Sequence, residues 1–252
     1  LIENAGYASN HLAYNQQKRS ESFMSDVQKP PKIAVLLSGC GHLDGAEVRE
    51  AVLTLLALDQ QGATVQCVAP NALQYHVVNH ATGEPVPGAE RNILEESSRI
   101  SRVGLCLDLA QARVQDFDAL IMPGGYGVAK NHCSFAFKGV EAEVRPDVAA
   151  FVRGFFEAHK PVGAICIAPA LVALALYARH DSAALTLGND TGVAEAMTQL
   201  GQRHMSTPSA KEVVIDEPHK LVTTPAYMFD EAPLSDVFIG ITRCVAEVLK
   251  RI

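Results

Sequence analysis

The chain has 252 residues, 48% of them hydrophobic, with 21 basic against 28 acidic side chains and a formal charge of −7. That size permits one large α/β domain without requiring two, the acidic balance leaves no basic footprint for nucleic acid, and no apolar run reaches the roughly 18 residues of a membrane span. Six scattered cysteines without CxxC pairs, in a chain large enough to bury about three quarters of its unfolded surface, point to a reducing compartment rather than a disulfide framework.

Residues 1–31 are polar and lack the apolar stretch of a secretory signal. They read as an N-terminal extension, processed or expression-derived, ahead of a single domain over 32–252. "KIAVLLS" at 32–38 suits a strand covered on both faces. Helical spacing follows from Ala46 to Gln61, with Gly62 suited to its end. "TVQCVA" is the next strand, and this strand–helix–strand order predicts a right-handed crossover in a parallel sheet. After the turn-rich "NHATGEPVPG", residues 89–101 read as helix and "DALIMPGGYG" as a buried strand running into a glycine loop. A helix over 145–160 tolerates Pro146 at its start. "PVGAICI" is a strand, "APALVALALYAR" a helix, and residues 192–201 a further helix. Two short strands lie within "EVVIDEPHKLVTTPAY", and "LSDVFIGITRCVAEVLKRI" closes the chain as a helix. The apolar face of that helix suits either docking on the sheet or self-association.

Open parallel sheets bind ligands beyond the carboxyl ends of their strands. Three exits qualify: "SGCG" at 38–41, "PGGYG" at 123–127 and the turn around Cys166 at 163–169. If they converge, backbone amides near the Cys166 turn can stabilise a thiolate or an oxyanion. The alternative is that Cys166 is a small buried hydrophobe, the common state of free cysteine.

"KIAVLLSGCG", "GAEVREAVLTLLALDQQG", "DALIMPGG" and "GAICIAPA" together resemble the DJ-1/PfpI superfamily, part of the class-I glutamine-amidotransferase-like folds. "SGCGHLDGAEVREAV", "NHATGE", "PGGYGVAKN", "CIAPA" and "LVTTPAYM" are similar to its ES1 and isoprenoid-biosynthesis-associated, glyoxalase-like branch. The resemblance covers about residues 32–251. It implies a flavodoxin-like three-layer α/β sandwich with a mostly parallel central sheet. Cys166 becomes the elbow cysteine and Glu50 its acidic neighbour, with Glu47 the runner-up three residues earlier on much the same helical face. Gly124 and Gly125 match the PGG loop that offers an amide to an oxyanion, Gly125 being the deeper of the two. With Ile167 beside the cysteine and Asn131 in the "AKN" turn, they make up the expected oxyanion and substrate-binding set. Lys130 is a weaker candidate for meeting a carboxylate.

One departure is substantial. Relatives that carry a histidine next to the cysteine, or in a later "THP"-like segment, have it where this chain has Ile167 or Gly188. No Cys-His-acid triad is visible, which disfavours glutamine hydrolysis, although His42, His80, His132 and His204 are each candidate partners. "CGH" at 40–42 does not specify a metal site. The absence of GxGxxG and Walker A patterns disfavours nicotinamide and ATP dependence, so no cofactor is expected. The expected function is cofactor-independent, glyoxalase-like conversion of a small aldehyde or other small polar metabolite. The alternative is a non-catalytic metabolic or redox-associated protein that retains the cysteine pocket. A homodimer and a cytoplasmic location are expected, or a mitochondrial one if the source is eukaryotic.

Overall fold

Strand β1 (Lys32–Leu36) shows how the molecule is layered. Ile33 and Val35 point into one buried cluster and Ala34 and Leu36 into another, so both faces of the strand are covered. The structure is a computed structural model that describes residues 29–252. The extension expected over 1–31 therefore lies outside the described residues except for its last three.

Helix α1 (Val48–Gln60) returns the chain to β2 (Thr64–Ala69), which pairs parallel with β1 from Lys32↔Thr64 onward. The "NHATGEPVPG" stretch contains a small hairpin, β3 (Val78–Asn79) with β4 (Glu84–Pro85). Helix α2 (Ile93–Ser101) starts at Asn92, whose side chain accepts from the amides of Leu94 and Glu95. It leads to β5 (Cys106–Asp108), an edge strand that the sequence reading passed over because three residues carry no periodicity. Strand β6 (Ala119–Met122) is followed by a π-helical turn at Val128–His132 and the short helix α3 (Phe135–Lys138).

Helix α4 (Pro146–Glu157) begins at its proline, where a missing amide costs nothing. Then come β7 (Val162–Ile165), α5 (Ala168–Tyr177), β8 (Ala184–Leu185), α6 (Thr191–Gln199) and β9 (Arg203–His204). Strands β10 (Val214–Asp216) and β11 (Leu221–Thr224) and helix α7 (Leu234–Leu249) complete the chain.

The central sheet has seven strands in the order β10-β11-β7-β6-β1-β2-β5. All are parallel except β10, which runs antiparallel to β11 at the edge. Helices α1 and α7 cover one face, with Ala51, Leu58, Ile241 and Val248 in a shared core. Helices α4 and α5 cover the other, where Phe155 and Leu171 are fully buried. This is the flavodoxin-like α/β sandwich expected from the resemblance. Helix α5 is buried from Ala168 to Leu176, which explains an apolar sequence with no amphipathic stripe. The apolar face of α7 is turned inward: Val237, Ile241, Cys244, Val245 and Val248 are buried within the chain and are not free for a second copy. No helix among the described residues is long and apolar enough to cross a membrane.

Candidate active site

Cys166 sits between the end of β7 and the start of α5 with φ of +61°, the left-handed region that a non-glycine residue rarely adopts. Holding it there costs on the order of 1–2 kcal/mol. The fold maintains it from both sides: the Cys166 amide donates to the Thr224 carbonyl at the end of β11, at 2.9 Å, and Ile167 has already entered helical geometry. Pro169 lies in the first turn of α5, where no intrahelical donor is required. The result is a sharp strand-to-helix turn that directs the sulfur away from the helix and towards the ends of neighbouring strands.

Glu50 meets it there. The carboxyl is fully buried; Oε2 accepts from the Gly124 amide at 2.9 Å and Oε1 from the Tyr227 amide at 3.2 Å. The Cys166 thiol is its neighbour across Gly124, and each group influences the other's protonation. Gly124 runs through the gap between the two side chains, where a Cβ would stand 2.5 Å from Cys166 Cβ, 2.7 Å from Glu50 Oε2 and 2.9 Å from Sγ. The amides of Gly125 and Ile167 lie close enough to the sulfur to favour its thiolate. Gly125 has φ of +98° and presses on the backbone of Gly45 and Glu47, so this loop also requires glycine.

Glu47 takes a different position. It is the N-cap of α1, its Oε2 accepting from the Glu50 amide at 2.6 Å and its Oε1 from Arg49 at 3.3 Å. The runner-up carboxylate thus places Glu50 and borders the cleft without touching the thiol.

Burial pushes Glu50 up to about 8, with the charge of Glu47 the next cause and the two backbone amides pulling the other way. Burial likewise drives the Cys166 thiol well above its ordinary value, reinforced by Glu50 and opposed by the amides of Gly125 and Ile167. The pair is therefore neutral at neutral pH and gives up its first proton near pH 8, leaving one proton between oxygen and sulfur. Glu47→Gln retains an oxygen for the Glu50 amide but removes the neighbouring charge. The pH at which Cys166 alkylation accelerates is therefore expected to move down from about 8, as read by intact-mass kinetics. An unmoved midpoint would leave burial as the sole cause.

Cys166 opens into a cleft of about 360 Å³ bordered by His42, Glu47, Gly125, Tyr126, Ile167, Asp190, Val193, Tyr227, Met228 and Asp230. Of the three expected strand exits, the PGG loop and the cysteine turn converge. The first contributes through His42 and Glu47, while "SGCG" itself leans on Ser97 and Gln74. The residues that sequence reasoning missed come from the exit of β11, Tyr227 to Asp230, and from the turn before α6. "LVTTPAYM" marked the former, since it is another parallel strand ending on the same edge of the sheet.

Asn131 is not brought to the cysteine. Its Nδ2 donates to the carbonyls of Ser38 and Asp44, its Oδ1 accepts from the Tyr75 amide, and it borders a separate cleft beside Tyr75 and Lys138. The amide ties three backbone segments together and has no acceptor left over for the Cys166 cleft. Lys130 donates to the Leu43 carbonyl and lies over the Tyr126 ring, meeting no carboxylate. His132 is buried against the Leu37 carbonyl and pushed down to about 4 by burial. His80 Nε2 accepts from the Leu43 amide, and His204 Nε2 accepts from the Leu187 amide. Of the four candidate imidazoles only His42 borders the cleft, and burial and the neighbouring His80 lower its pKa. A Cβ added at Gly188 would lie 3.4 Å from Met228 and Phe229, an ordinary van der Waals contact. Among the described residues no group of three His, Cys, Asp or Glu side chains is arranged to hold a metal ion.

Residues 32–227 match the model of the DJ-1/PfpI family. The chain is 39% identical over 245 residues to a human protein called glutamine amidotransferase-like class 1 domain-containing protein 3, mitochondrial, across 92% of this chain and 88% of that one. It is also 39% identical over 228 residues to the mitochondrial ES1 protein homolog of Rattus norvegicus, across 87% and 83% of the two chains. Among solved structures, a crystal structure of an isoprenoid biosynthesis protein with an amidotransferase-like domain from Ehrlichia chaffeensis superposes with a TM-score of 0.81 at 39% identity. The match covers 88% of this chain and 99% of that one.

Proposed function

The chain belongs to the DJ-1/PfpI family, and on that premise we propose that it is a cofactor-independent, glyoxalase-like enzyme that converts small α-oxoaldehydes to 2-hydroxy acids. The observation that carries this reading is the buried Cys166–Glu50 pair, held at a left-handed elbow around Gly124. Cys166 adds to the aldehyde carbon, its proton passing to the new oxygen, and forms a hemithioacetal. Glu50, in the fraction that has lost its proton as pH approaches 8, takes the proton from that carbon and returns it to the adjacent carbon, while the hemithioacetal hydroxyl gives its proton to the adjacent carbonyl oxygen; this leaves a thioester next to the new hydroxyl. Water then hydrolyses the thioester to the 2-hydroxy acid and frees the thiol. Electrons move only between the two substrate carbons, so no external oxidant or reductant enters. The amides of Gly125 and Ile167, which favour the thiolate, are the donors in this reading for the oxygen-centred charge that develops next to the sulfur. A cleft of about 360 Å³ is at the small end of ligand sites and suits a few-carbon substrate.

Incubation of the reduced protein with methylglyoxal, without glutathione, should yield lactate of one hand by chiral detection. Cys166→Ala should reduce the rate by at least about a thousandfold, the scale at which a covalent nucleophile matters. Equal rates in the two proteins would overturn the assignment.

A second reading is supported by the missing imidazole. No histidine hydrogen-bonds Cys166 among the described residues, and burial holds the thiol protonated. A non-catalytic protein with a reactive cysteine pocket would show selective modification at Cys166 without turnover. The mitochondrial names of the human, rat and zebrafish relatives support a mitochondrial location if the source is eukaryotic.

A further inference from the structure

The cleft around Cys166 has an uneven charge distribution. Glu47 is paired with Arg49 at 3.3 Å, and Glu50 keeps its proton up to about pH 8. His42 is held below its ordinary pKa by partial burial and by His80, so it is neutral at neutral pH. Lys130 lies 5.1 Å above the Tyr126 ring but donates its hydrogen bond away, to the Leu43 carbonyl. Two carboxylates remain. Asp190 caps α6 through Oδ1, which accepts from Val193 at 2.8 Å, and its Oδ2 has no hydrogen-bond partner among the described residues. Asp230 enters neither a hydrogen bond nor an ion pair among the described residues. Both side chains are exposed and both border the cleft. Their loops are neighbours, because a Cβ on Gly188 would lie 3.4 Å from both Met228 and Phe229. No lysine or arginine is among the lining residues.

We propose that this cleft selects small electrophiles bearing an ammonium or other cationic group, with Asp190 and Asp230 receiving the charge while the electrophilic carbon faces Cys166. Carboxylate- and phosphate-bearing carbonyl compounds are disfavoured by the same two side chains. The inference rests on reading Cys166 as the nucleophile of the pocket, and it narrows the substrate class within the proposed function. The two carboxylates are not a site by themselves. They matter because they share a cleft with a strained, amide-ringed thiol, which independently marks where a ligand reacts. Two unit charges bordering a half-solvated cleft are worth about tenfold between a cation and an anion, and salt weakens the effect.

The test uses two methanethiosulfonates of similar size, the 2-aminoethyl cation and the 2-sulfonatoethyl anion. Each forms a mixed disulfide with the Cys166 thiolate and expels methanesulfinate. The rate at Cys166 is followed by peptide mass spectrometry and divided by the same reagent's rate on free 2-mercaptoethanol. The full-length protein is expected to favour the cation by about tenfold or more at low salt. Asp190→Asn with Asp230→Asn should bring that ratio close to one, and asparagine caps a helix as well as aspartate does, so α6 keeps its start. A ratio near one in the unaltered protein, or one unchanged in the double variant, overturns the proposal. So does failure of both reagents to reach Cys166 in the folded chain. A clear charge preference without lactate production would sink the glyoxalase assignment and leave this inference standing. Lactate production with a ratio near one would do the reverse.

Discussion

Gly124→Ala is expected to slow alkylation of Cys166 by more than tenfold and to lower the unfolding free energy by about 1–3 kcal/mol, the usual cost of overpacking a close-packed interior. The added methyl would lie 2.5 Å from Cys166 Cβ and 2.7 Å from Glu50 Oε2, far inside contact distance. Neither neighbour can retreat freely. Cys166 is fixed at the elbow by the hydrogen bond its amide donates to the Thr224 carbonyl, and Glu50 is held by the amides of Gly124 and Tyr227. The methyl must therefore separate the carboxyl from the sulfur or lift the loop, which also displaces the Gly125 amide. Iodoacetamide kinetics by intact mass and a urea titration measure the two effects. Unchanged labelling with unchanged stability would show that the PGG loop yields, and that its glycine is there for the turn alone.

Glu50→Gln is expected to remove a pH dependence of stability amounting to as much as about 5 kcal/mol between pH 4.5 and 8, at 1.36 kcal/mol per pKa unit. The sign follows from the raised value. Between 4.5 and about 8 the folded chain keeps a proton that the unfolded chain has lost. The contribution is thus complete below 4.5 and disappears as pH climbs through 8. Gln has no such proton to lose. It also presents an NH₂ to one of two backbone amides, an unmet bond that costs about 1–3 kcal/mol, so the variant starts lower in acid and the two curves cross before pH 8. His132 acts in the opposite sense. Held neutral down to about 4, it costs stability as pH falls below 6.5. It is common to both proteins and cancels in their difference. Urea midpoints at a series of pH values supply that difference, and a flat difference curve would show that Glu50 ionises normally in the fold. In the same variant the rise of Cys166 alkylation near pH 8 should disappear, because the neighbouring acid is gone.

The main strands and helices were legible because each has its own periodicity or composition. "KIAVL" and "ALIM" are short apolar runs, and α7 carries a helical stripe that the fold turns inward. Strand β5 and the pair β8–β9 have two or three residues each, too few to show a period, and exist because a neighbouring strand offers hydrogen bonds. The π-helical turn at Val128–His132 was equally hidden. It is set by Asn131 reaching across to Ser38 and Asp44, a contact between residues nearly a hundred positions apart. That same contact explains why Asn131, chosen from a local motif, turned out to tie loops together.

Within the site, the sequence alone carried the identity of the residues that matter most: a cysteine after an apolar strand, a glycine pair after another, and two glutamates three apart at the head of a helix. Those are local facts, written in neighbouring letters. Which glutamate meets the sulfur was decided by tertiary structure. One turn of helix separates the two carboxylates, and only the approach of the loops after β6 and β11 to the start of α1 places Glu50 between Gly124 and Tyr227 while leaving Glu47 on the cap. The protonation of the pair was decided there too, since burial is a property of everything packed around a group. So were the two aspartates, which come to border the Cys166 cleft from loops that only the assembled sheet brings to one edge.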